Sequence, residues 1–239
     1  MKKILAFLLP CLLVIAALGQ DKIINDANAV VRHVGSFHAI RVSNGIQLTI
    51  KQGSEEAVAV SADDPELRDR IITEVVDGVL KISFDHNLWK AFRKGNRRLK
   101  AYVSFKNIDK LHGSSGSLTK VDGLLTANGF DVDLSSGAEF NGDIKATSLS
   151  VDQSSGSTMR ISGNVQTIKV GTSSGATFHG YELVSDNCSA DASSGGSIQI
   201  TVNKSLSAEA SSGGGIRYKG SGTVTSVSTG SGGSVRKNS

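Results

Sequence analysis

The chain has 239 residues, with 26 Lys and Arg against 22 Asp and Glu, which gives a formal net charge of +4 at pH 7. This length is ample for a hydrophobic core, and so weak a charge argues against a nucleic-acid-binding protein. The 34 Ser and 27 Gly make up about a quarter of the chain, but Pro occurs only twice and the Ser and Gly positions are periodic. The composition therefore excludes a coiled coil, a collagen-like chain and a disulfide-dense miniprotein.

The first nineteen residues have the pattern of a secretory signal peptide. Met1-Lys2-Lys3 is a short basic start, and the apolar run over residues 4–18 follows it. Small residues end the run, as cleavage after Gly19 requires. The run contains Pro10 and is short for a membrane span. We therefore predict a signal peptide over residues 1–19, no transmembrane segment in the mature chain, and export to the periplasm, the outer-membrane surface or the exterior.

Residues 20–107 are predicted to form a β-rich head that lacks the repeat found later in the chain. Alternation of apolar and polar residues predicts five strands. These strands cover residues 37–43, 46–51, 57–62, 79–84 and 99–105. Ser43-Asn44-Gly45 and Asp77-Gly78 are turn signals, and Asp64-Pro65-Glu66 followed by residues 67–71 predicts a short helix with Pro near its start. We expect this head to cap or continue the fold that follows.

A basic segment with the single Trp of the chain separates the last two predicted strands of the head. Six basic residues fall within the twelve positions 89–100. Arg pairs bidentately with phosphate or carboxylate, Trp stacks on a sugar or a lipid headgroup, and loops carry function more often than cores do. We predict that this loop binds a glycan or an anionic cell-surface component. Its candidate residues are Trp89, Lys90, Arg93, Lys94, Arg97 and Arg98. A solvated loop with one aromatic residue in the core is the open alternative.

The tripeptide Ser-Ser-Gly recurs through residues 108–239 at intervals of 18 to 21 residues, and a degenerate Gly-Ser-Gly copy follows. The copies begin at Ser114, Ser135, Ser154, Ser173, Ser193 and Ser211. Apolar and polar residues alternate on both sides of each copy, which indicates half-buried strands that meet at a tight turn. About 20 residues are too few for a propeller blade and fit one coil of a β-solenoid.

We therefore predict an all-β fold, a right-handed parallel β-helix or β-solenoid with about 19–20 residues per coil over residues 108–239. Equivalent residues then stack about 4.8 Å apart, and Gly provides the positive φ of the tight corners. A second Gly often follows each copy and predicts a second turn, so that each coil has two or three short strands. These glycines are Gly142, Gly163, Gly180 and Gly220. A sandwich of β-hairpins is the alternative, although hairpins prefer Asn-Gly or Asp-Gly in their two-residue loops.

Stacking would align the position two residues before each tripeptide into an acidic column. Its members are His112, Asp133, Asp152, Gly171, Asp191 and Glu209. Stacked carboxylates are able to bind Ca²⁺ or to serve as the acid or base of a glycan-cleaving enzyme. Gly171 interrupts this column, and the Gly-Gly-x-Gly-x-Asp pattern of calcium-binding β-rolls is missing. A solvated outer face is therefore the simplest interpretation.

The position four residues after each Gly gives a second column, which we call the basic column. Its members are Lys120, Asn141, Arg160, His179, Gln199, Arg217 and Arg236. Such a strip is suited to follow an anionic polysaccharide chain, because its charges repeat along one line. The alternative is that these positions are polar only because they face solvent.

The order of these features resembles a known family. Residues 37–46 place Gly45-Ile46 after an Asn turn, Asp77-Gly78 then begins a strand, and residues 99–105 lead into Gly113-Ser114-Ser115-Gly116. This order is similar to the exported bacterial family called putative auto-transporter adhesin, head GIN domain, over nearly the whole mature chain. The resemblance implies a β-solenoid-like fold, a surface or envelope location and no agreed catalytic residues.

No arrangement in the sequence is typical of a catalytic site. No Gly-x-Ser-x-Gly elbow ordered with an acid and a His appears, the His residues have no metal-ligand spacing, and no phosphate-binding Gly loop with a Lys occurs. We predict a non-enzymatic, adhesin-like exported protein without cofactor or metal that recognises a glycan or an anionic envelope component. One alternative is a carbohydrate-active enzyme, with Asp133 or Asp152 beside Arg160 in one groove. The other is a purely structural envelope protein.

Overall fold

The computed structural model describes residues 26–85 and 98–238, which form sixteen β-strands and one short helix. The first eight strands are β1 (Val30–Arg32), β2 (Ala39–Val42), β3 (Gln47–Gln52), β4 (Ala57–Ser61), β5 (Ile71–Val76), β6 (Val79–Phe84), β7 (Lys100–Phe105) and β8 (Lys110–Gly113). The other eight are β9 (Leu118–Leu134), β10 (Glu139–Gln153), β11 (Thr158–Thr172), β12 (Thr177–Ala192), β13 (Ser197–Ala210), β14 (Gly215–Lys219), β15 (Thr223–Thr229) and β16 (Ser234–Lys237). The helix α1 (Pro65–Asp69) lies between β4 and β5.

The strands β9 to β13 stack in parallel, one per coil. β10 pairs with β9 on one side and β11 on the other, so that Phe140 lies beside Met159. The same register continues to β12 and β13. The predicted parallel β-solenoid is confirmed, and it has about seven turns.

The predicted second turn is present near Gly220, where β14 ends at Lys219 and β15 begins at Thr223. In the coils of β9 to β13 the predicted division into short strands is wrong. One strand of 14 to 17 residues forms most of each coil. Near the second Gly the pairing slips by a bulge, for example between Asn141 and Asp143. Gly163 has a φ of 113°, and a Cβ there would collide with the carbonyl oxygen of Ile144. A bulge bends a strand while its ladder of hydrogen bonds continues on both sides, so Gly142, Gly163 and Gly180 mark bends and not chain reversals.

The Ser-Ser-Gly turns form a ladder of their own. In the copy at residues 135–137, φ is 51° at Ser136 and 71° at Gly137. The Gly137 N–H donates to the carbonyl oxygen of Ser155 in the next turn at 3.0 Å, and this bond recurs from Gly156 to Ser174 at 3.1 Å. A positive φ costs a non-Gly residue about 1–2 kcal/mol. The sequence analysis assigned this conformation to Gly alone, but the stacked hydrogen bonds hold the second Ser in it as well.

The head both continues and caps the solenoid. β2 pairs in parallel with β8, and β3 pairs in parallel with β9. Between them, Asn44 and Gly45 have φ values of 63° and 71°, as in a Ser-Ser-Gly turn. The Gly45 N–H donates to the carbonyl oxygen of Ser115 at 3.0 Å. β6 pairs with the edge of β2 that faces away from β8, and β7 pairs with the edge of β3 that faces away from β9. The coil that contains β6 and β7 therefore comes later in the chain than β2 and β3 but lies nearer the end of the solenoid.

Antiparallel strands close the solenoid beyond β6 and β7. β5 pairs with β6, β4 pairs with β7, and β1 pairs with β4. The Oδ1 atom of Asp64 caps α1 by accepting from the Glu66 N–H at 2.8 Å, and Leu67 contributes to the core. The predicted short helix with Pro near its start is confirmed, because Pro65 begins α1, but the helix ends at Asp69 and does not reach Ile71. Ile71 already belongs to β5, a strand that the sequence analysis missed along with β1.

One hydrophobic core runs through the head and the coils. Its inward columns lie where the alternation predicts them. One column holds Phe130, Leu149, Ile168, Cys188 and Leu206, and another holds Phe140, Met159, Phe178, Ile198 and Ile216. Each of these residues is at most 5% exposed. Burial raises the pKa of the Cys188 thiol to about 12, so this cysteine is an unreactive core residue.

Gly137→Ala is expected to lower the free energy of unfolding by about 1–2 kcal/mol, because Gly137 has a positive φ. No atom lies within 4 Å of the added Cβ, so the cost is backbone strain alone. Gly35→Ala is the matched control, because its Cβ also meets open space while its φ is not positive. Chemical denaturation measures both variants, and equal losses would contradict the role of the turn.

Asp26 is expected to make stability depend on pH between about 4 and 2. Burial would raise the pKa of this carboxyl, but hydrogen bonds from Lys100, Tyr102 and the Asn28 N–H outweigh it and lower the pKa from 3.8 to about 2. The stabilisation is complete above the unfolded pKa and disappears as the pH falls towards 2. Asp26→Asn should cost about 1–2 kcal/mol at pH 7 and flatten this part of the pH profile.

Asp122→Asn is the control for the Asp26 variant. Asp122 is 56% exposed and lies 3.8 Å from Lys51, an arrangement that contributes little to stability. Thermal unfolding at several pH values compares the two variants. Identical pH profiles would show that Asp26 has no special role.

Candidate functional site

The parallel register places one member of the basic column on each coil. Asn141 pairs with Lys120, Arg160 with Asn141, His179 with Arg160, and Gln199 with His179. Paired strands are about 4.8 Å apart, so these five side chains span about 19 Å. β14 and β16 extend the column with Arg217 and Arg236. The predicted column is therefore continuous on the surface of the protein.

A groove of about 590 Å³ runs along the basic column from Lys120 to Gln199. Val121 and Ile161 also line this groove and are only 6% and 4% exposed. Gly142 lies between them in the stack, where a Cβ would come within 3.0 Å of Val121 Cβ. A groove of this volume, with apolar residues beneath a few polar groups, has the size and composition of a ligand-binding site.

Two cations, Lys120 and Arg160, line the groove against one carboxylate, Glu182, so the net charge of the groove favours an anionic ligand. Lys120 is exposed, and the Arg160 side chain is 56% exposed. Arg160 Nη1 lies 3.9 Å from Glu139 Oε2, which is 51% exposed, so water screens this ion pair. His179 Nδ1 lies 3.1 Å from Gln199 Oε1, and this contact orients both side chains within the column.

Tyr181 also lines the groove, and its ring and its hydroxyl have different surroundings. Lys219 Nζ lies 4.5 Å from the centre of its ring, in a cation–π contact. The hydroxyl is buried and has no hydrogen-bond partner within the described part of the chain. An unpaired buried hydroxyl costs the fold about 1–3 kcal/mol, and because solvent does not reach this oxygen, a ligand in the groove would meet the ring of Tyr181 and not its hydroxyl.

The sequence analysis missed Tyr181, Val121 and Ile161. The register of β11 and β12 shifts between Arg160 and Ser162, and Tyr181 is in the bulge at this point. The only sign of this bulge in the sequence is one additional residue between two copies of the tripeptide. The interval from Ser173 to the next copy is 20 residues, whereas the preceding interval is 19.

The acidic column lies beside the stacked turns and lines a different groove, of about 430 Å³. Asp133 Oδ2 accepts from Lys110 Nζ at 2.9 Å, and burial together with the charge of Arg41 lowers the pKa of His112. Within residues 26–85 and 98–238, no group of three or more His, Cys, Asp and Glu is placed to hold a metal ion. Asp133 and Asp152 line this groove, whereas Arg160 lines the groove along the basic column. The structure therefore does not place either carboxylate in one groove with Arg160, as the enzymatic alternative requires.

Most of the predicted ligand-binding loop lies outside the described residues, which include exposed Arg98. The other candidates, all outside them, are Trp89, Lys90, Arg93, Lys94 and Arg97. Described residues fix both ends of the loop. The Ser43 N–H donates to the Ile82 carbonyl oxygen at 3.1 Å, and the Gln47 N–H donates to the Leu99 carbonyl oxygen at 2.8 Å. Ile82 and Leu99 therefore occupy the positions that flank the Ser-Ser-Gly turn in other coils.

Solved structures share this fold over most of the chain. A putative adhesin from Bacteroides fragilis is 17% identical with a TM-score of 0.78, and the match covers 89% of this chain and 98% of that one. A putative lipid binding protein from Parabacteroides distasonis is 18% identical with a TM-score of 0.68, over 90% and 98%. A putative adhesin from Parabacteroides merdae is 18% identical with a TM-score of 0.66, over 88% and 95%.

No curated protein matches the chain. Within the part that the structure describes, no helix is long and apolar enough to cross a membrane. The sequence model of one family matches residues 36–222, a segment that contains strands β2 to β14 and the whole groove. The chain belongs to this family, the putative auto-transporter adhesins, head GIN domain.

Proposed function

We propose that this protein is an exported, non-enzymatic binding protein of the adhesin type whose groove holds an anionic polysaccharide chain. The observation that carries the proposal is the register, which repeats one polar or basic side chain per coil from Lys120 to Gln199. A site that repeats along a line complements a ligand that repeats along a line.

The side chains of the groove match the chemistry of an acidic sugar. Lys120 and Arg160 pair with carboxylate or sulfate groups, and Arg160 does so bidentately. His179 lies within the same row and hydrogen-bonds hydroxyl groups. The apolar face of a sugar ring packs against Val121 and Ile161, which line the same groove.

Binding by several weak contacts explains why no coil needs a deep pocket. Each exposed charge pair contributes about 0–1 kcal/mol by itself. Linked contacts along one chain act together, because the first contact raises the effective concentration for the next. The affinity should therefore increase with the length of the polysaccharide and decrease with salt.

Export is supported by the signal peptide predicted over residues 1–19 and by the family to which the chain belongs. The proposed location is the periplasm, the outer-membrane surface or the exterior. The loop with Trp89, Arg97 and Arg98 is a second proposed contact for the same ligand class. Its fixed ends lie at the cap end of the solenoid, on the edge formed by the turns.

A lipid is the competing ligand, because one structural relative is described as a lipid binding protein and apolar residues line the groove. A lipid headgroup has one cluster of charge, however, and does not use a row of side chains on five coils. Anionic vesicles are therefore a separate arm of the experiment.

Lys120→Ala combined with Arg160→Ala is expected to weaken binding to an acidic polysaccharide at least about tenfold, a change of about 1.4 kcal/mol. Lys145→Ala combined with Lys169→Ala is the matched control, because both lysines are exposed on β10 and β11 outside the groove. The two variants lose the same net charge, so only a specific groove separates them. Biosensor titration measures both against carboxylated, sulfated and neutral polysaccharides and against phosphatidylglycerol vesicles.

Equal losses of affinity in the groove variant and the control variant would contradict binding in the groove. An unchanged affinity in the variant without Lys120 and Arg160 would contradict it as well. Vesicle binding that depends on Lys120 and Arg160, without polysaccharide binding, would establish the lipid. A loss confined to the triple variant Trp89→Ala, Arg97→Ala, Arg98→Ala would move the site to the loop.

Tyr181→Phe is expected to leave the fold equally stable or to stabilise it by up to about 1 kcal/mol, because it removes an unpaired buried hydroxyl. The same change should leave polysaccharide binding unchanged, because the ring that lines the groove remains and the buried oxygen does not reach the ligand. Tyr102→Phe should instead lower the stability, because the Tyr102 hydroxyl donates to Asp26 Oδ2 at 2.9 Å, and it too should leave binding unchanged, because Tyr102 lies away from the groove. Thermal unfolding and the binding titration test both variants. A large loss of stability in Tyr181→Phe would show that this hydroxyl has a structural partner.

A further inference from the structure

The end of the solenoid formed by β4, α1 and β5 is strongly acidic. Residues 53–78, which we call the acidic cap, contain eight carboxylates and two guanidinium groups, a net charge of −6. All eight carboxylates are exposed. They are Glu55, Glu56, Asp63, Asp64, Glu66, Asp69, Glu74 and Asp77. Asp69 forms ion pairs with Arg68 and Arg32, at 3.0 Å and 3.9 Å.

The opposite end of the solenoid is basic. Residues 210–238, which we call the basic end, contain four basic residues and no acidic residue, a net charge of +4. Arg217, Arg236 and Lys237 are exposed, and Lys219 is partly buried against Tyr181. The two ends of one molecule are therefore complementary in charge.

Both ends also have strand edges without partners in the described structure. β1 pairs with β4 alone and β5 pairs with β6 alone, while β15 pairs with β13 alone and β16 with β14 alone. Edge strands commonly carry Lys or Pro, which block pairing with other chains. The seven residues of β15 include no charge and no Pro, and Ser226–Thr229 pair regularly with β13.

Exposed apolar side chains are concentrated on these same edge strands. Val31 of β1 is 60% exposed, Ile72 and Val76 of β5 are 43% and 37% exposed, and Val227 of β15 is 51% exposed. Val227 continues the inward column of Ala208, and no further coil covers it in the described structure. Among the large exposed hydrophobic residues of the described chain, the remaining one is Leu124 in β9.

The strand directions at the two ends are compatible. β15 runs parallel to the stacked strands and β5 runs antiparallel to them, so β15 and the β5 of a second copy would form an antiparallel pair. β1 is antiparallel to β4, which is antiparallel to β7, so β1 runs in the direction of β16. β16 and the β1 of a second copy would form a parallel pair.

We propose that the basic end of one copy docks on the acidic cap of a second copy, so that the protein assembles head to tail. Charge complementarity selects this arrangement, because two acidic caps or two basic ends would repel each other. The contact covers the apolar edges at both ends and adds backbone hydrogen bonds. A head-to-tail contact leaves one free surface of each kind, so assembly is open-ended. This inference goes beyond the proposed function, and the filament would present many copies of the groove.

Sedimentation velocity tests the assembly on the chain from residue 20 onward, which contains every residue that the structure describes. At low salt the mean mass should increase steadily with concentration beyond that of a dimer, and at high salt it should decrease. A monomer at every concentration, or growth that stops at a dimer, would overturn the proposal.

Charge-reversal variants test the direction of docking. One variant has a neutral basic end, through Arg236→Glu and Lys237→Glu, and the other has a neutral cap, through Glu55→Lys, Glu56→Lys and Asp63→Lys. Each variant alone should lose at least about tenfold in association constant, a change of about 1.4 kcal/mol. An equimolar mixture should form one-to-one pairs and nothing longer, because each pair retains one intact contact. Association of either variant with itself at wild-type strength would contradict head-to-tail docking.

A further pair of variants distinguishes the effect of a charge on the docking edge from the effect of the same charge elsewhere on the protein. Ile72→Lys places a charge on the docking edge of β5 and should abolish growth. Leu124→Lys changes a residue of similar exposure, 48% against 43%, on β9 and should leave growth unchanged. Circular dichroism confirms that each variant is folded, and equal behaviour of the two would contradict the proposed edge.

Discussion

The in-register parallel pairing of successive coils is the constraint on which the rest of the structure depends. Each strand from β9 to β13 forms ladder hydrogen bonds with the coils before and after it, so equivalent residues must be neighbours. Inward positions therefore become columns such as Phe140 above Met159. The same geometry turns outward positions into rows, and a row of Lys120, Asn141 and Arg160 becomes a linear surface for a ligand.

Departures from this regularity produce the features that a ligand or a partner can recognise. The groove lies where the coil bends through a bulge and where the Val121 side chain packs against Gly142, which has no Cβ. The bulge around Tyr181 places an aromatic ring with an unpaired hydroxyl there. At the two ends the stacking stops, and the acidic cap and the basic end remain as surfaces of opposite charge. Regular stacking thus provides the scaffold, and its local interruptions provide the chemistry.

The period of the sequence was sufficient to predict the solenoid and its columns, because one register assigns every residue of a coil to the core or the surface. It was not sufficient for the corners, because a Gly such as Gly142 in a strand has the same sequence signal whether the chain turns or only bulges. The stacking of β6 and β7 beyond β2 and β3 depends on pairing between distant residues, which periodicity does not encode. Tyr181 was missed for a related reason, since its position depends on a register shift. The predicted loop at Trp89 lies outside the described residues, so its binding role stays a prediction.

Removal of one complete coil would show whether the coils are equivalent units that each contribute one side chain to the groove. Deletion of residues 154–172 joins Gln153 to Ser173, so that a Ser-Ser-Gly turn still follows the strand and Arg160 leaves the row. Circular dichroism, thermal unfolding and polysaccharide titration would be compared with the intact chain. The account predicts a folded, cooperatively unfolding protein with weaker binding to a long acidic polysaccharide. A chain that fails to fold would contradict the equivalence of the coils, and a folded chain with unchanged affinity would contradict the groove.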